Sequence, residues 1–234
     1  MAEPQAIYLK DYQPPAYTVE KTELKFDLEP HATRVSARLH MVRHPERAAE
    51  QPLELDGHHL TLIRVAIDGQ ALAPDEYQVT DEQLVISHVP ERFVLDTEVE
   101  IDPANNTALE GLYVSSGMFC TQCEPQGFRR ITYYPDRSDV MATFITTVIA
   151  DKAQYPVLLS NGNPIEHGEL PNGRHFAVWE DPHPKPSYLF ALVAGALEKI
   201  EDTFTTMSGR EVQLQIWVEP VSYTHLTLPT ICSV

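Results

Sequence analysis

From Tyr17 onward, apolar and polar residues alternate in short runs. Thr22, Leu24, Phe26 and Leu28 alternate with Glu23, Lys25 and Asp27, the turn Glu29-Pro30-His31-Ala32 follows, and Val35, Ala37, Leu39 and Met41 alternate back. A period of two sends successive side chains to opposite faces of a sheet, so this segment predicts a hairpin with one dry and one wet face. Leu53 and Leu55 stop at Asp56-Gly57; Ile63, Val65 and Ile67 stop at Asp68-Gly69; Leu84-Val85-Ile86 stops before Pro90; Phe93, Leu95, Val99 and Ile101 stop at Pro103. Turn residues at that spacing predict an antiparallel β fold.

The second half continues in the same style. Residues Ala142 to Ala150 are rich in β-branched side chains and predict a strand near the sheet interior. Val157-Leu158-Leu159-Ser160 and the segment after the turn Pro171-Asn172-Gly173-Arg174, with Phe176, Val178 and Trp179, predict two more. The three prolines of Asp181-Pro182-His183-Pro184-Lys185-Pro186 argue against regular structure there. The near-continuous apolar run Tyr188 to Gly195 predicts a strand buried on both faces. A final pair, Asp202 to Thr206 and Val212 to Val218, joins at Ser208-Gly209. Roughly a dozen strands result, with no amphipathic helix of useful length. Residues 1 to 15, ending in Gln13-Pro14-Pro15, read as an arm laid across a surface.

Composition narrows the function classes. The 234 residues are enough to bury a core without metal or disulfide help. Against 17 basic side chains stand 34 acidic ones, a formal net charge of −17, and no local basic patch is present; nucleic-acid and membrane-surface partners are therefore not expected. The start, Met1 to Tyr8, lacks the basic head and apolar run of a secretory signal, and no window reaches the apolar length of a membrane span. Cytoplasmic location is the expectation, and three cysteines, Cys120, Cys123 and Cys232, fit a reducing compartment.

The chemistry concentrates between Cys120 and Asp139. Cys120-Thr121-Gln122-Cys123 is a C-x-x-C, but a redox pair needs a helix N-terminus in a βαβ context, and a structural zinc site needs four ligands; two incidental buried thiols are the expected outcome. His58 and His59 are adjacent, which in a strand sends the rings to opposite faces, and no histidine begins an H-E-x-x-H. Glu124 precedes Pro125, which pushes its backbone toward extended values, and Gln122 lies two residues earlier. In an extended segment the two side chains project together, and a carboxylate beside a carboxamide could hold a substrate ammonium group, mostly charged at neutral pH. Alternatively, Glu124 is an exposed loop acid paired with Arg129 or Arg130.

The blocks Asn106 to Tyr113, Cys120-Thr121-Gln122-Cys123-Glu124, Gly127-Phe128-Arg129 and Ile131-Thr132-Tyr133-Tyr134 with Asp136-Arg137 closely resemble the amino-terminal domain of the bacterial aminopeptidase N family, zinc aminopeptidases of the gluzincin class. Leu158 to Asn163, Gly173-Arg174-His175, Pro184-Lys185-Pro186, Tyr188 to Gly195 and Asp202 to Thr206 extend the resemblance over roughly residues 5 to 219. It implies an all-β, large, mostly antiparallel saddle-like sandwich or open barrel over residues 1–196. The start of a truncated thermolysin-like catalytic domain follows over 197–219, and the tail 220–234, which matches nothing in the family, reads as an aberrant, artefactual end. The glutamate matching Glu124 binds the α-amino group of the peptide, and the glutamine matching Gln122 lines the pocket for its first side chain. The implied partners are peptides with a free amino terminus and the missing catalytic domain, in an enzyme that is a monomer at full length.

Zinc is implied for the full-length enzyme and none for this part, because the family's H-E-x-x-H and Gly-Ala-Met-Glu-Asn motifs are absent from the chain. The chain alone is expected to be inactive. Ser138 stands where a proline is expected, and Ser187 where a cysteine or other small residue often occurs. The competing reading is a free-standing β-sandwich binding module without catalysis.

Overall fold

The computed structural model describes residues 8–47 and 51–223. Its strands in chain order begin with β1 (Tyr17–Asp27), β2 (Thr33–Arg43), β3 (Leu53–Asp56), β4 (Thr61–Ile67), β5 (Gln70–Ala71), β6 (Tyr77–Val79), β7 (Gln83–Ile86) and β8 (Arg92–Ile101). They continue with β9 (Gly111–Ser115), β10 (Met118–Gln122), β11 (Met141–Asp151), β12 (Val157–Ser160), β13 (Asn163–Glu169), β14 (Arg174–Pro186), β15 (Leu192–Gly195), β16 (Glu198–Thr205) and β17 (Glu211–Val218). The fold is all-β, and no sheet closes into a barrel among the described residues.

An eight-stranded sheet has the order β13-β14-β11-β1-β2-β8-β4-β5. Among the described residues its one parallel pair is β1 with β11, in register from Lys21 opposite Thr143 to Asp27 opposite Ile149. The predicted hairpin is present as β1 and β2, with Phe26 opposite Val35 and Leu24 opposite Ala37. A bulge between Val19 and Lys21 turns both Glu20 and Lys21 away from the core before alternation resumes. A three-stranded sheet, β3-β7-β6, and a four-stranded sheet, β12-β15-β10-β9, complete the body. Leu53, Leu55, Leu84, Phe119, Leu158 and Leu192 from these smaller sheets share one buried cluster with Leu24, Phe26, Leu39, Leu95 and Phe144 of the large sheet. Each such side chain, fully buried, contributes about 1.5–3 kcal/mol relative to exposure.

Three local expectations need correction. Seventeen strands form among the described residues rather than about a dozen: β5 and β6 are two and three residues long and too short to show a period, and the sequence pattern does not mark β9, β10 and β13. Strand β14 runs through the proline segment to Pro186. The pairing with β11 passes from Phe144–Asp181 to Ala142–Lys185, so Pro182 and Pro184 fall in a bulge where no ladder hydrogen bond is required of them. The run from Tyr188 is not a continuous strand: Ser187–Leu189 is a 3-10 turn and only Leu192–Gly195 is extended. Asn161 stabilises that break, accepting from the Ala191 amide at 2.7 Å and donating to the Leu189 carbonyl at 3.2 Å.

The arm, from Tyr8 on, does lie across the surface. Tyr12 donates to Asp139 at 2.9 Å and Arg137 donates to the Gln13 carbonyl at 2.9 Å. Strands β16 and β17 form a hairpin that pairs with no other strand among the described residues and places no residue in the core. Pro220–Tyr223 is a single helical turn, and the rest of the tail, with Cys232, lies outside the described residues. Among the described residues no helix is long and apolar enough to cross a membrane.

Candidate functional site

Strand β10 ends at Gln122, opposite Gly111 of β9, and the chain then folds back on itself. The Gly127 amide donates to the Cys123 carbonyl at 2.8 Å, closing a turn over the tip Glu124-Pro125-Gln126. A side chain at 127 would collide with the Gln122 carbonyl and lie 3.0 Å from Cys123 Cα. Across from it Gly111 has φ of +74°, and a side chain there would lie 2.7 Å from Arg130 Cβ. Two glycines thus allow the loop to lie directly on the β9–β10 ribbon. The Glu124–Pro125 bond is cis.

Below the tip the loop is anchored by a solvent-excluded aromatic group. Phe128 is fully buried, with ring centroids 4.9 Å from Tyr134, 5.3 Å from Phe190 and 6.2 Å from Phe144. Edge-to-face pairs of this kind add about 0.5–1.5 kcal/mol each beyond area burial. The Tyr134 backbone exchanges two hydrogen bonds with Asp56 at 2.9 and 3.1 Å, tying the loop to β3.

Asp136 closes the loop. Its Oδ1 accepts from Ser187 Oγ at 2.6 Å; its Oδ2 accepts from the Arg129 amide at 3.2 Å and from Arg129 Nε at 3.1 Å. Its own amide donates to Asp56 Oδ2 at 3.2 Å, and the Arg129 guanidinium lies 3.4 Å from that same oxygen. Burial pushes the Asp56 carboxyl above its usual range, with the Arg129 charge opposing that rise.

At the surface, Glu124, Pro125, Gln126, Asp136, Ser138 and Tyr188 line an open cleft of about 480 Å³. Glu124 is exposed, and among the described residues its carboxylate has no hydrogen-bond or ion-pair partner. The pairing with Arg129 or Arg130 is not what forms: Arg129 is held by Asp136 and Asp56, and Arg130 Nε lies 3.0 Å from Glu110. Nor does the extended geometry reach Glu124, since the strand ends at Gln122 and residues 124–127 form the turn. Gln122 is exposed and donates to the Glu124 carbonyl at 3.3 Å, so the two residues are neighbours, but Gln122 does not line the cleft.

The two thiols differ. Cys123 is buried and Cys120 only partly so, and burial raises both above the ordinary thiol value, Cys123 the more strongly and with Asp136 adding to it. Neither has the lowered pKa of a reactive cysteine. His58 and His59 occupy a turn rather than a strand, with His59 at φ of +56°. Among the described residues no three His, Cys, Asp or Glu side chains converge to hold a metal. Asp136 and Tyr188 were not singled out as site residues by sequence reasoning. The one signal was a charged residue directly after the run Ile131-Thr132-Tyr133-Tyr134-Pro135.

Residues 13–189 match the family described as Peptidase M1 N-terminal domain. The aminopeptidase N of Caulobacter vibrioides is 55% identical over 217 residues, covering 93% of this chain and 25% of that protein. The aminopeptidase N of Escherichia coli is 52% identical over 217 residues, covering 93% of this chain and 24% of that protein. The chain therefore spans about a quarter of the length of the relatives it matches. Among solved structures, Legionella pneumophila aminopeptidase A in complex with aspartic acid superposes with a TM-score of 0.87 at 39% identity, over 92% of this chain and 26% of that one. An M1 zinc metallopeptidase of Deinococcus radiodurans shares the fold at a TM-score of 0.74 and 17% identity, over 94% of this chain and 50% of that one.

Proposed function

The chain belongs to the peptidase M1 N-terminal domain family, and we propose that it is the amine-reading part of a zinc-dependent aminopeptidase that releases amino-terminal residues from peptides. Glu124 pairs with the substrate ammonium, and Gln122, at the adjoining strand end, contributes to the pocket for the first side chain. The observation that carries this reading is an exposed carboxylate, unpartnered among the described residues, on the rim of a cleft and mounted on a loop whose base is tied by Asp136 to Arg129 and Ser187. An enzyme that removes terminal residues must locate the terminus, and a fixed anion at the ammonium sets how far the scissile carbonyl lies from the reacting groups.

Zinc and the hydrolytic machinery belong, in this reading, to the remaining three-quarters of the polypeptide, and the hairpin of β16 and β17 opens that catalytic unit. The contribution of this chain is recognition. The chain alone is expected to turn over no aminoacyl-4-nitroanilide, with or without added zinc. In the complete enzyme, Glu124→Ala removes a charge-assisted hydrogen bond of about 1.5–3 kcal/mol, so kcat/KM for free-amine substrates falls about tenfold to a hundredfold. Unchanged kinetics would remove Glu124 from the site.

A further inference from the structure

Two carboxylates line the cleft and they are held in opposite ways. Glu124 is exposed and, among the described residues, without a partner. The Asp136 side chain is 1% exposed, and both of its oxygens are engaged, by Ser187 Oγ at 2.6 Å and by two Arg129 nitrogens at 3.1 and 3.2 Å. Buried to that extent, Asp136 presents almost no surface to a substrate ammonium, and pulling it away from its three donors would leave buried polar groups unpaired, which is costly. Two like-charged neighbours of one cleft therefore cannot share one task.

We propose that Asp136 is a positioning residue: it ties the loop that carries Glu124 to the Ser187 turn and so fixes where the amine-reading carboxylate stands. The inference rests on the reading of Glu124 as the amine anchor. The geometry behind it spans three segments. Arg129 follows the Glu124 tip by five positions and receives Asp136 through both its backbone amide and its side chain. Ser187 begins the 3-10 turn whose next residue, Tyr188, also lines the cleft. One carboxylate thus links the two segments that line the cleft, and Ser187 is the link that can be cut with least damage to the fold, since it supplies one donor of the three.

The test uses the complete aminopeptidase with Ser187→Ala, Ser187→Cys, Glu124→Gln and the Ser187→Ala/Glu124→Gln double variant, assayed on an aminoacyl-4-nitroanilide. Loss of one hydrogen bond to a charged group is expected to raise KM about threefold to tenfold in Ser187→Ala, with kcat less affected. The weak S–H donor of Ser187→Cys restores part of that loss. In the Glu124→Gln background the Ser187→Ala effect on KM disappears, because Asp136 acts through Glu124. A Ser187→Ala effect that persists undiminished in that background overturns the proposal. Hydrogen exchange supplies a readout independent of substrate: the Gly127 and Arg129 amides exchange faster in Ser187→Ala, and unchanged protection at both also overturns it. Should Glu124→Gln itself leave KM unaltered, the amine reading falls, and the exchange rates still decide whether Asp136 fixes the loop.

Discussion

The tip of the central loop, Gln122 to Gln126, and its base, Gly127 to Asp136, are neighbours in sequence and opposites in environment. Four of the five tip residues are exposed, and the Glu124 carboxylate is unpartnered among the described residues. In the base, Phe128, Ile131, Thr132, Tyr133, Tyr134 and Asp136 are all buried, and the Asp136 carboxylate meets three donors, two from Arg129 and one from Ser187. The difference separates two duties that conflict in one residue. A charge that must exchange water for a ligand cannot also be committed to holding the fold, because a satisfied buried ion is costly to uncouple. Stability therefore resides in the base, which leaves the tip free for the ligand chemistry proposed for Glu124.

That separation predicts unequal responses to truncation. Phe128→Ala deletes a ring at the centre of the aromatic group and should cost about 3–5 kcal/mol, whereas Glu124→Ala should change stability by less than about 0.5 kcal/mol. Urea unfolding monitored by the tyrosine and tryptophan signals measures both. A Phe128→Ala cost near 1 kcal/mol would mean that the base is not the anchor.

The junction between the two regions is sharper still as a test. At Gly127 a new Cβ meets backbone atoms, the Gln122 carbonyl and Cys123 Cα, which cannot swing aside as a flexible side chain would. Gly127→Ala should cost about 1–3 kcal/mol. Because relief requires the tip to move off the ribbon, the kinetic penalty on free-amine substrates should accompany it. A variant that loses stability while keeping the wild-type KM would show that tip geometry does not depend on the base.

How much of this is written in the sequence depends on the range of the interaction. Alternation in Leu24 to Leu28 and Val35 to Met41 reports a local property, the pleat, and the strands it implies are present with their core faces as expected. The prolines at 182 and 184 misled because their meaning depends on the partner strand: the bulge opposite β11 removes the requirement for their missing donors. The same holds at the site. Glu124 was legible as an acid with a constrained neighbour, but its freedom was not, because that rests on Arg129 being held by Asp136 and Asp56 and Arg130 by Glu110. Asp136 itself takes its role from Ser187, 51 positions away. No periodicity reports a contact of that separation.

Beyond Asp136 the loop ends in a third condition, exposed yet bonded, and it makes the smallest prediction. Arg137 donates to both oxygens of Asp139, at 2.8 and 2.6 Å, and Tyr12 of the arm donates to Oδ2 at 2.9 Å. The Arg137 hydrogen bonds hold the Asp139 carboxyl below its usual range. A carboxyl depressed in the folded state contributes stability that is present above its unfolded value, about pH 4, and is lost as the pH falls through the lower folded value. Asp56, raised by burial at the base, acts with the opposite sign: its contribution is present below the unfolded value and lost as the pH rises through the folded one. Asp139→Asn should therefore flatten the loss of stability below about pH 4, by less than about 1 kcal/mol because the pair is partly solvated. Urea midpoints collected from pH 5 to pH 2.5 measure it. An unaltered slope would place the arm latch outside the energetics of the fold and leave the base as the loop's sole anchor.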